Sequence, residues 1–203
     1  MTARGGTRAG PPVARRDAIL AFLGLTLWGR RAASTTLEVP PERQAVILAR
    51  ALSYDTELPA RAGSEILIGT LTRPGHAASE AMGAGMEKAF VRMATIKVQG
   101  RALLTRRVSY AGAAALADAV TRQGIDALYV CAGLDADLPA IIDLARKRKF
   151  LTLGSHHEQV VRGLSLGVFA VEGKPVIVLN LTAARNEGAS FSPELLRVAR
   201  VIR

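Results

Sequence analysis

Between Glu65 and Gly154, short apolar runs alternate with stretches of helical periodicity, and this constrains the fold more than any other feature of the chain. Glu65–Leu71, Thr105–Tyr110, Ala127–Ala132 and Phe150–Gly154 read as strands. Ala77–Met93, Ala111–Gln123 and Asp137–Lys149 read as helices, the second closed by Gly124 past its end. Strand–helix–strand–helix order at this spacing argues for an α/β fold, a layered and mostly parallel sheet flanked by helices. The C-terminal part changes character. Leu164–Val171 and Pro175–Leu181 are β-rich and flank Glu172-Gly173-Lys174, which predicts a β-hairpin. Thr182–Glu187 reads as one or two helical turns stopped by Gly188. Ser192 as N-cap and Pro193 at the first helical position then open a closing helix. Leu195, Leu196, Val198 and Ala199 are expected to supply its buried face. Upstream, Pro41 starts a helix over Glu42–Tyr54, with Ala45, Val46, Leu48, Ala49 and Leu52 at helical spacing.

Charge divides the chain. Residues 1–34 hold six arginines and one acid, so half of the net charge of +10 sits ahead of the folded part. A nucleic-acid binder would spread its charge over a face or a helix, so no nucleic-acid partner is expected. Arg15-Arg16, the apolar stretch Ala18–Trp28 and the small residues Ala32-Ala33-Ser34 read together as a targeting segment. The domain expectation is therefore a signal segment over 1–34 and a single α/β domain over 35–203. The apolar stretch is too short to span a bilayer, and no run reaches roughly 18 apolar residues, which excludes a polytopic membrane protein. At 49% apolar and 22% charged residues, wholesale disorder is excluded too.

Candidate chemistry is sparse. His156-His157-Glu158 is the one cluster with a catalytic look, but adjacent histidines diverge, whereas a helical metal pair needs i, i+4 spacing. It reads more simply as a polar helix start after Gly154-Ser155. His76 lies in a Pro-Gly-His loop and is expected in solvent. Gly83-x-Gly85-x-x-Lys88 has the outline of a phosphate loop, yet it falls inside a helical pattern and reads as close-packing positions. Cys131, the one cysteine, ends a strand expected to be buried and reads as a small hydrophobe. It permits neither a disulfide framework nor a zinc site of several thiolates. Asp135 and Asp137 precede a helix, where Asp137 as N-cap accounts for one of them. The run Arg146–Lys149 could touch phosphates or anionic lipid, and reads more simply as a solvated helix end suited to the macrodipole. No catalytic residue, cofactor or metal is assigned.

The last forty residues say more. Gly163 and Leu164 stand before the hairpin, Leu179-Asn180 and Ala183-Ala184 follow it, and Phe191-Ser192-Pro193-Glu194-Leu195-Leu196 with Ala199 closes the chain. From Glu42 onward, and most sharply over 163–200, the chain resembles the YfiR-like family of small bacterial periplasmic proteins. It departs from that pattern in three places. Arg162 stands where a glycine is common, the first helix is aliphatic, and only one cysteine remains, so no redox role carries over. The resemblance implies a periplasmic, non-enzymatic regulator. It would act as an inhibitor or sensor on the periplasmic part of a membrane-bound signalling protein such as a diguanylate cyclase, and as a homodimer. Gly163, Asn180, Ser192, Leu195 and Leu196 would be structural: Asn180 at the strand-to-helix corner, Ser192 as cap, the leucines in the core. A ligand or partner is expected at the carboxyl ends of the parallel strands, on a rim of Arg73, His76, Asp135, Ser155 and His156. Two alternatives stay open: a periplasmic small-molecule-binding protein, and a hydrolase built on Asp135, His156 or Cys131.

Overall fold

A computed structural model describes residues 39–203, so the expected targeting segment lies outside the described residues. The described part opens with α1 (Pro41–Leu52) and a single turn α2 (Leu58–Arg61), then enters β1 (Glu65–Thr72). There follow α3 (Ala77–Val91), β2 (Lys97–Val98), β3 (Arg101–Ser109), α4 (Ala113–Gln123) and β4 (Ala127–Val130). A 3-10 turn over Asp135–Asp137 leads into α5 (Leu138–Arg148), β5 (Leu151–Gly154) and α6 (His157–Val161). The chain closes with β6 (Leu166–Val171), β7 (Lys174–Asn180), α7 (Leu181–Asn186), α8 (Pro193–Val198) and β8 (Arg200–Ile202).

The eight strands of the described residues form one sheet in the order β2-β3-β1-β4-β5-β6-β7-β8. The strands β3, β1, β4, β5 and β6 run parallel, so the expected α/β architecture is present. β7 folds back on β6 as the hairpin read from sequence. Strand pleating sends alternate residues to opposite faces and so builds two cores. Ala127, Tyr129 and Cys131 pack with Leu48 of α1 and Met86 and Phe90 of α3. Leu128 and Val130 pack with Leu116 and Val120 of α4 and Ile141 of α5 on the other face. Each fully buried side chain of this size contributes ~1.5–3 kcal/mol, so two filled faces hold the helices down.

Two strands and several boundaries were not legible in the sequence. β3 begins at Arg101 rather than Thr105 and pairs antiparallel with β2 through a tight turn in which Gln99 and Gly100 both take positive φ. The final helix is not the end of the fold, because β8 follows it and pairs parallel with β7. Of the expected buried face of α8, only Leu195 is fully buried; Leu196 is half-buried and Val198 is 68% exposed. A six-residue helix lying on a sheet has room for one inward position per turn, and Leu195 takes it.

Gly83 shows why α3 carries glycines. A Cβ there would fall 2.3 Å from Thr72 Cγ2, so the helix can sit this close to β1 only without a side chain. The packing reading of this motif is thereby given a specific neighbour.

Candidate functional site

β1 lies between β3 and β4, so the chain leaves β1 toward one side of the sheet and returns to its other side. Such a reversal opens a crevice beyond the carboxyl ends of the strands, the usual ligand position in open α/β sheets. Here the loops after β1, β4 and β5 meet.

Two clasps hold these loops. In the first, Arg73 after β1 forms an ion pair with Asp137, donates from Nε to the Gly133 carbonyl, and lies 5.9 Å from the Tyr110 ring centroid. Asp137 thus stands at the N-cap position of α5 without capping it; its carboxylate is turned to Arg73 instead. Tyr110 beside this pair has its pKa raised, by burial first and by the Asp137 charge second. His76 is half-buried, not in solvent as the Pro-Gly-His loop suggested. Its Nδ1 accepts from Ser79 N at 3.2 Å and caps α3, and its ring covers Gly133 so closely that a Cβ there would lie 2.9 Å from it. Gly133 also has φ +80°, which glycine tolerates without strain.

The second clasp joins the loops after β4 and β5. His156 Nε2 lies 3.0 Å from Asp135 Oδ1, and His156 Nδ1 lies 3.1 Å from Ser155 Oγ. Arg162 donates to the Asp135 carbonyl at 2.7 Å. Gln159, fully buried, accepts from Ser155 N at 2.9 Å and donates to the Cys131 carbonyl at 3.3 Å. Both ring nitrogens of His156 are therefore engaged, and Ser155 Oγ also has Gln159 Oε1 at 3.2 Å as an acceptor. As a piece of chemistry the group can relay a proton; as a piece of structure it fixes the start of α6. Burial pushes the Cys131 thiol up to about 12, which disfavours the thiolate form. Among the described residues no group of three or more metal-ligating side chains gathers.

Beside the second clasp lies a cavity of about 600 Å³. Ala78, Ala81 and Met82 of α3 form one wall, Val168–Ala170 of β6 the other, and Ser155, His156 and His157 its polar end. Its floor is a buried polar pair that periodicity does not reveal. Tyr129 donates its hydroxyl to Gln44 Oε1 at 2.8 Å, and Gln44 Nε2 donates to the Val168 carbonyl at 2.9 Å. The rim residues read from sequence thus divide. Ser155 and His156 line the cavity, and Asp135 reaches it through His156. Arg73 and His76 brace the neighbouring loops and do not line it. Gln44, Tyr129 and Gln159 were missed; a polar residue among apolar ones on α1 and α6 was the signal available.

The residues carried by the C-terminal pattern lie away from the cavity. Asn180 Oδ1 accepts from Ala183 N at 3.0 Å, and its Nδ2 donates to the Val160 carbonyl at 3.1 Å, which locks the β7–α7 corner to α6. Gly163 turns the chain from α6 into β6 with φ +119°. Ser192 occupies the N-cap position of α8, but its side chain makes no capping hydrogen bond, contrary to expectation.

A sequence profile of the YfiR/HmsC-like family matches residues 41–200. No curated protein matches in sequence. Among solved structures, the ABC domain in complex with L-Trp from Streptococcus pneumoniae superposes with a TM-score of 0.58 at 15% identity, covering 80% of this chain and 60% of that one. A conserved domain protein from Vibrio cholerae O1 biovar El Tor gives 0.57 at 16% identity, over 81% and 60%. A substrate-binding protein with adhesive properties from Clostridium difficile gives 0.50 at 13% identity, over 72% and 57%. This chain spans about three-fifths of the length of these proteins, and at such identity the likeness establishes a shared α/β fold.

Proposed function

Because the chain belongs to the YfiR/HmsC-like family, we propose that it is an exported regulatory protein that restrains the periplasmic part of a membrane-bound signalling enzyme such as a diguanylate cyclase. Residues 1–34 serve as the export segment and 35–203 as the regulatory domain, acting as a homodimer. The mechanism is stoichiometric: a complementary surface favours the partner's inactive arrangement by its differential affinity. It requires no catalysis. The family match over nearly the whole described chain carries this reading. The rim of Asp135, Ser155 and His156 supports it as the contact region, because its loops are clasped in place and would lose little entropy on binding. Arg73 and His76 support the same rim from behind.

The test is cellular. Expression of the full chain should lower cyclic-di-GMP in a host carrying the partner, and a version lacking residues 2–34 should not. Unchanged cyclic-di-GMP with a correctly exported protein would sink the reading.

A second reading, small-ligand binding, is favoured by the cavity with its apolar walls and the buried Gln44–Tyr129 pair. The complex of one structural neighbour with L-Trp makes aromatic amino acids the first probes. A ligand should raise the melting temperature of the wild type, and Ala81→Phe, which fills the cavity, should abolish the rise. An equal rise in both proteins would place binding elsewhere.

A further inference from the structure

Opposite the cavity, the amino edge of the sheet collects the ends of several helices. α2 runs into β1, α4 into β4 and α5 into β5, so Arg61, Arg122 and Arg146–Lys149 all stand at this edge. Arg185 of α7 joins them, because the next residues of its chain reach the same place. Glu187 accepts from Thr152 N at the start of β5, and the Asn186 carbonyl accepts from Lys149 Nζ at 2.9 Å. Arg61 and Lys147 have carboxylate partners, Asp55 and Asp143. Arg122, Arg146, Arg148, Lys149 and Arg185 are exposed and make no ion pair among the described residues.

The acids near them do little to offset this. Glu187 is fully buried, and burial raises its pKa to about 7. Asp126 is tied to Leu67 N at 2.9 Å and is likewise raised by burial. Of the exposed acids, Asp118 stands one turn before Arg122, Asp143 pairs with Lys147, and Glu57 and Glu65 lie toward β1, fewer than the cations at this edge. One cation at a helix end satisfies the macrodipole, whereas α5 alone ends in four.

We propose that this basic edge docks on an anionic phospholipid bilayer. The exposed cations spread over the ends of three helices, which matches a charged plane rather than a single anion. The 290 Å³ groove among Arg61, Arg148 and Lys149 also contains the Asp126 carboxylate and the ends of α4 and α5, whose carbonyls oppose a buried anion. Docking by this edge leaves the cavity and its rim facing away from the lipid. The choice of a bilayer over an acidic protein face rests on the proposed work at a membrane-bound partner.

The test uses the full chain and vesicles of phosphatidylcholine with or without phosphatidylglycerol. One variant carries Arg122→Glu, Arg146→Glu and Arg148→Glu. A control carries Arg43→Glu, Arg106→Glu and Arg197→Glu, an equal charge change on exposed residues of α1, β3 and α8. Residues 1–34 are identical in all three proteins, so the comparison isolates the edge. The first variant should bind phosphatidylglycerol vesicles about tenfold or more weaker than the control, with melting temperatures matched. An equal loss in both variants would show that net charge alone acts, and overturns the proposal. No loss in either, or wild-type binding that ignores phosphatidylglycerol, overturns it too and leaves an acidic protein face as the occupant. The assay contains no signalling partner, so its failure and a failure in the cyclic-di-GMP assay are separate results.

Discussion

Glu187 has none of its surface in water, yet its carboxyl group accepts three hydrogen bonds. Thr152 donates to it from both N and Oγ1, at 2.8 and 2.7 Å, and Ser165 from Oγ. Burial outweighs these bonds and raises its pKa from the ordinary 4.5 to about 7. The folded protein therefore keeps a proton that the unfolded chain gives up above about 4.5. The group's contribution to stability is full below that pH and is lost as pH rises through 7. Wild-type stability relative to Glu187→Gln should fall between pH 5 and 8, by at most about 3 kcal/mol. Urea denaturation of both proteins across that range decides it, and a pH-independent difference would refute the account. At the candidate rim, Gln159→Ala should cost about 1–3 kcal/mol, because it strands the buried Cys131 carbonyl and takes the partner from the half-buried Ser155 N. Thermal denaturation measures it.

At the scale of elements, α8 and α3 make opposite demands. α8 is pinned by one residue, so Leu195→Ala should cost about 2–5 kcal/mol, and Leu196→Ala should cost less than half of that. Chemical denaturation of the pair checks it, and equal costs would mean that α8 is seated differently. α3 is instead limited by how closely it approaches β1. Gly83→Ala gains helix propensity worth about 1 kcal/mol but drives a methyl against Thr72. The single variant should be destabilised. Thr72→Ser removes the opposing methyl, so the double variant should recover much of the loss. Simple additivity of the two changes would show that they do not touch.

For the whole molecule, Cys131 reports on the opening of the core. It lies at 0% exposure in the core shared by α1, α3 and the middle of the sheet. Its reaction with a thiol reagent should be undetectable in the folded protein and should track global unfolding as denaturant is added. Fast native-state labelling would reveal a local opening at the β4 carboxyl end, next to the cavity. The two ends of the sheet also differ in charge design. Cations at the candidate rim are paired, as in Arg73–Asp137 and Arg162 at Asp135, while most of those at the amino edge make no ion pair among the described residues.

Local patterning was sufficient for the α/β class, the hairpin and most helices, because the 3.6-residue and two-residue periods and the Gly and Pro signals are written into neighbouring residues. The end of the chain also carried its family resemblance in the order Asn180, Ala183-Ala184 and Leu195-Leu196. Short elements were not legible. β2 and β8 are two and three residues long, and a strand of that length exists only because a partner strand lies beside it. The site was least legible of all. Nothing local says that Asp137 turns away from its helix to meet Arg73, or that His76 covers Gly133 from 57 positions away. Nor does it say that Gln44 on α1 meets Tyr129 on β4. Such contacts depend on where the sheet order places each loop, and strand order is set by packing over the whole domain.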